Sequence, residues 1–101
     1  MRWRFIDGGL PPPDVQVRVI GDGRFRRLDT AWREPRVAAE FDGQTAHMTP
    51  EQLREDRLRH NWLTERRWTL LHFTATDVYR RPERMVATAL RALGLGNPRR
   101  S

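Results

Sequence analysis

Val15, Val17 and Val19 alternate with Gln16 and Arg18, and the run meets Gly21-Asp22-Gly23 without a break. A period of two marks a strand with one buried face, and a glycine-flanked aspartate supplies the positive φ angles of a tight hairpin. The following strand must then return antiparallel, over about Arg24 to Trp32. A third, Arg36 to Asp42, follows a turn at Glu34-Pro35. The first half of the chain is therefore predicted to be a three-stranded meander.

Upstream, Met1 to Leu10 reads as a short lead-in, and Pro11-Pro12-Pro13 is rigid and extended. Residues 1–13 are accordingly set apart from a domain over 14–95, in which ordered structure begins. Thr49-Pro50-Glu51-Gln52 combines a cap, a first-turn proline and the glutamine of a capping box, so a helix should run from there to about Arg66. Its Leu53, Leu58, Trp62 and Leu63 form no single stripe. Trp68 to Thr74 is a short apolar, β-rich run between two helical patterns, which predicts a central strand covered on both faces. The last helix opens at Pro82, gathers Met85, Val86, Ala89, Leu90 and Leu93 on one face, and stops at Gly94. Residues 96–101 read as a frayed basic tail. The fold class is α/β, with a mixed four-stranded sheet in one domain.

All 19 basic residues are arginine, against 13 acids, which leaves a net charge of +6. Guanidinium groups fork onto phosphates, so nucleic acid is the expected partner. Cysteine is absent, which removes disulfides, thiolate nucleophiles and thiolate zinc sites; Ser101 is the sole serine, which removes a serine nucleophile. No following helix or sufficient length makes Gly21-Asp22-Gly23 a phosphate loop. The chain has no apolar run long enough for a signal peptide or a membrane span, so a cytoplasmic location is expected.

A hairpin centred between Glu34 and Pro35 sets Asp29 opposite Glu40 and Arg27 opposite Asp42. Opposed like charges are destabilising, and a bound divalent cation is one reason to place them so. Alternation adds Asp42 to the face of Glu40, and the small Ala38 leaves room beside it. Such an oxygen cluster suits Mg²⁺ or Mn²⁺. The other reading is that Asp29 and Asp42 are solvated strand-end residues, with Asp42-Gly43 forming a turn.

On the first long helix, Arg54, Arg57 and Asn61 share a face suited to successive phosphates, and equally to solvent. Asp56 is spaced to pair with Arg59 or His60. Arg27, placed on the face of Asp29, either touches substrate or neutralises Asp42. Trp62 and Trp68 are expected in the core and His72 is expected to be a hydrogen-bonded core histidine, while Trp3 and Trp32 stay open.

Taken in order, Leu28-Asp29-Thr-Ala-Trp32, Arg36-Val-Ala-Ala-Glu40-Phe-Asp42-Gly43, Arg54-Glu-Asp56-Arg57 with Asn61, Trp68 to Thr74, and Arg81-Pro82-Glu83 resemble the PD-(D/E)XK nuclease superfamily. The resemblance is to its very-short-patch-repair-like endonuclease domain of actinobacterial type, and it spans the chain from Gly9 onward. It implies a restriction-endonuclease-like core, with Asp29 and Glu40 as the two motif acids that hold Mg²⁺ or Mn²⁺ for phosphodiester hydrolysis in DNA. The superfamily's lysine is replaced by Asp42, which would assist as a third ligand, and His47 stands one residue beyond the position where the subgroup often carries histidine. Arg27, Arg54, Arg57 and Asn61 would bind the nucleic acid. The helix that normally precedes the first strand is largely missing upstream, so a homodimer or a missing N-terminal domain is expected to cover one sheet face. The alternatives are a catalytically inactive nucleic-acid-binding or interaction module on the same fold, and a structural or antitoxin-like partner domain without affinity for nucleic acid.

Overall fold

A computed structural model describes residues 1–42 and 48–95. It contains four strands, β1 (Asp14–Gly21), β2 (Arg24–Trp32), β3 (Val37–Phe41) and β4 (Thr69–Phe73), and four helices, α1 (Arg2–Asp7), α2 (Pro50–Glu65), α3 (Ala75–Tyr79) and α4 (Pro82–Ala92). The strands form one sheet in the order β1-β2-β3-β4. The first three are antiparallel, and β4 runs parallel to β3 after the crossover through α2. The α/β class and the mixed four-stranded sheet are as the sequence predicts.

Helices cover both faces. Val37, Ala39 and Phe73 point into a core with Phe5 of α1, Val78 of α3, and Met85 and Ala89 of α4. Ala38, Leu28 and Val17 point the other way, onto Leu63 of α2 and Trp68. Neighbouring residues of β3 thus serve opposite layers, as the pleat requires. The amphipathic stripe anticipated for the final helix is present: Met85 and Ala89 are buried, and Val86, Leu90 and Leu93 pack at their margin. Asp22 and Gly23, with φ of 55° and 72°, make the two-residue turn between β1 and β2.

Two expectations fail. Met1 to Leu10 is not a lead-in but holds α1, because Phe5 is fully buried, with its ring edge-on to Trp32 at 5.0 Å. Trp3, Phe5 and Ile6 in a six-residue stretch show no helical period, and only Phe5 is buried, which is worth roughly 1.5–3 kcal/mol. Gly8 lets α1 sit close on α4, where a Cβ would come within 2.7 Å of Val86. The second failure is β4, which is an edge strand and not a central one. Its apolar character comes from helices above and below it, with α2 on one side and α3 and α4 on the other, and that signal says nothing about what lies beside a strand.

Among the described residues no helix is long and apolar enough to cross a membrane.

Candidate functional site

The turn of residues 33–36 fixes the β2–β3 register: Thr30 faces Ala39, Ala31 faces Ala38 and Trp32 faces Val37. The paired ladder of β2 and β3 ends at Thr30 and Ala39, one residue short of Asp29 and Glu40. Glu40 lies on the α2 side of β3, since Ala38 two residues before it packs there. Its exposure is 7%, low enough that the carboxylate needs a partner.

That partner is Arg59. Its Nη1 donates to Glu40 Oε1 at 2.8 Å, its Nη2 to Oε2 at 2.5 Å, and Nη2 also donates to the Arg27 carbonyl at 2.9 Å. The two parallel bonds make a fork, which sets geometry as well as charge. Hydrogen bonding to Glu40 raises the Arg59 pKa above the ordinary arginine value; burial opposes this, and the charges of Glu40, Asp56 and Asp29 reinforce it. The positive charge is therefore permanent at any working pH. Helical spacing alone offers Arg59 to Asp56; in the fold its partner is instead the Glu40 carboxylate across the sheet-helix interface. Leu63 is the one fully buried residue of α2, and Arg59 stands four residues before it on the same face. That spacing is the sequence signal for its inward direction.

The strand alternation breaks beside the site. Leu28 packs under α2, yet Thr30 pairs with Ala39, whose side chain belongs to the opposite core. The irregularity falls at Asp29, and across from it in β1 Gln16 adopts a φ of 56°, a left-handed conformation that costs a non-glycine residue about 1–2 kcal/mol. As a result Arg26 shares the face of Leu28, and Arg27 takes the opposite one. Grouping Arg27 with Asp29 through unbroken alternation does not survive this; Arg27 contributes its carbonyl to Arg59, and its side chain is exposed. Arg26 lines a cavity of about 610 Å³ together with Arg59, Glu51, Gln52, Glu55 and Asp56.

Asp29 is exposed, and Asp42 is exposed just beyond β3, its backbone N–H donating to the Phe73 carbonyl at 2.8 Å. His47 lies outside the described residues, as do Gly43, Ala46 and the tail at 96–101. His72, expected in the core, is exposed on β4 opposite Glu40, its ring stacked on His60 of α2 at 5.8 Å; β4 lies at the sheet edge, where no further strand flanks such a side chain. Trp68 is buried and Trp62 is half-buried beneath Arg66, at 3.8 Å from the ring centre. Trp32 is buried and donates to the Pro11 carbonyl at 2.7 Å, whereas Trp3 is exposed against Tyr79.

Arg54, Arg57 and Asn61 are all exposed. At 3.6 residues per turn they fall roughly 160–220° around α2 from Arg59. They share one face, and it points away from Glu40. Among the described residues the side chains of Arg54 and Arg57 make no hydrogen bond or ion pair.

The donors that the sequence resemblance assigns to Mg²⁺ or Mn²⁺ do not fit such an ion as they stand. Both oxygens of Glu40 are engaged by a guanidinium, and no group of three His, Cys, Asp or Glu side chains converges among the described residues.

No family model matches the chain, and neither does any solved structure. It is 37% identical over 89 residues to the uncharacterized proteins MT2308 and Rv2248 of Mycobacterium tuberculosis, a match that covers 87% of this chain and 33% of each relative. The chain thus spans about a third of the length of the curated relatives it matches.

Proposed function

We propose that the chain is a nucleic-acid-binding domain on an endonuclease-like scaffold, which grips the DNA backbone through arginines without a metal ion. The observation that carries this is the division of labour on α2. Arg59 is consumed by Glu40, while Arg54 and Arg57 stand exposed and uncommitted on the other side. The net charge of +6 acts in the same sense, because each neutralised phosphate releases counterions and makes affinity fall with salt. Asn61, on the same face, adds a neutral donor for phosphate or sugar oxygens.

The test is fluorescence anisotropy of a labelled DNA duplex, titrated with protein in EDTA across a salt series. The wild-type chain should bind, and Arg54→Ala/Arg57→Ala should lower the log–log salt slope by roughly 2, about one for each arginine–phosphate pair removed. An unchanged slope, or no binding at low salt, contradicts the proposal.

A second reading, phosphodiester hydrolysis with Mg²⁺ or Mn²⁺ held by Asp29, Glu40 and Asp42, is favoured by one feature: a carboxylate, Glu40, buried on the sheet face that α2 covers. It requires Arg59 to leave the carboxylate. Plasmid nicking that depends on a divalent ion and disappears in Glu40→Ala would establish it over the first.

A further inference from the structure

We infer that Arg59 occupies the place of a divalent cation at Glu40 and excludes such an ion from the acidic centre. Mg²⁺ and Mn²⁺ need carboxylate lone pairs at close range, and the fork takes an oxygen-directed bond from each side of Glu40, at 2.8 and 2.5 Å. The guanidinium is anchored independently of that carboxylate, through Nη2 to the Arg27 carbonyl, so it is tied to β2 as well as to β3. Asp56 and Asp29 act on the same guanidinium through space. Glu40 and the Arg27 carbonyl thus hold the guanidinium between two strands, where the arginine supplies the charge that a metal would otherwise bring. Lysine could not do this as well, since one ammonium cannot answer both oxygens in plane.

This inference rests on the Glu40–Arg59 geometry and is independent of DNA binding, so each can fail alone. The experiment is calorimetric titration of MnCl₂ into the wild-type chain, Arg59→Gln, and Arg59→Gln/Glu40→Gln, each checked for a cooperative melt. The expected result is no saturable Mn²⁺ binding in the wild type, binding in Arg59→Gln tighter by at least about tenfold, and loss of that binding in the double variant. Should Arg59→Gln lack a melting transition, Arg59→Met, also neutral and of similar length, replaces it and is read by the same criterion. Saturable wild-type binding that Glu40→Gln abolishes would overturn the inference. So would the absence of binding in every variant, because removing Arg59 would then have uncovered no site.

Discussion

Glu40 and Arg59 carry most of what is unusual about this chain. A carboxylate with 7% exposure is stable only while its charge is answered, and removing one member of a buried pair costs more than the pair is worth intact. Arg59→Leu should therefore lower stability by about 3 kcal/mol, whereas Glu40→Leu/Arg59→Leu should recover most of it, as no buried charge remains; urea denaturation of the three proteins compares them directly. A double variant as unstable as the single one would mean that packing, and not charge, sets the cost. The pairing of Thr30 with Ala39 is legible in the sequence because a register follows from where a turn sits. The identity of Glu40's partner is not. A long side chain on α2 reaches a β3 residue only once helix and sheet are docked, and the competing Asp56 is three residues away in sequence.

At the level of elements, local chemistry decides what can be read. Thr49 accepts from the Gln52 N–H at 3.1 Å, and the Gln52 side chain accepts from the Thr49 N–H at 2.9 Å, so the start of α2 matches its sequence signature. Thr49→Ala should cost about 1 kcal/mol through the lost cap, seen as a lower urea midpoint at constant m-value; an unchanged midpoint would remove the cap from the account. Thr74 and Asp77 form the same box at the start of α3, but five residues carry too little periodicity to reveal that helix. α2 also explains why no single apolar stripe can be found on it. Its packing against the sheet runs through Arg59, Trp62, Leu63 and Arg66, and Arg66 ties the helix end to Asp22 of the hairpin turn. Arginine stems that pack as apolar groups look polar to any hydropathy pattern.

Across the whole molecule, one sheet is closed on two sides by separate cores, yet the far end of the β1–β2 hairpin is left bare, with Ile20 76% and Phe25 49% exposed. Val19 packs toward α2, so its neighbour Ile20 and the paired Phe25 point to the face away from that helix, and sheet order, which depends on non-local pairing, is the part of the architecture least available from local pattern. The relatives are about three times as long as this chain, so what the full proteins do belongs to more than this domain. Within it, the arginines divide into one locked group and several uncommitted ones, and the functional proposal depends on that division. Nuclear magnetic resonance of the arginine side chains tests it most directly. The account predicts resolved, slowly exchanging Arg59 Nη protons that persist in MgCl₂ and vanish in Glu40→Gln, beside averaged signals from Arg54 and Arg57. Arg59 signals averaged like the others, or lost on adding Mg²⁺ to the wild-type chain, would contradict it.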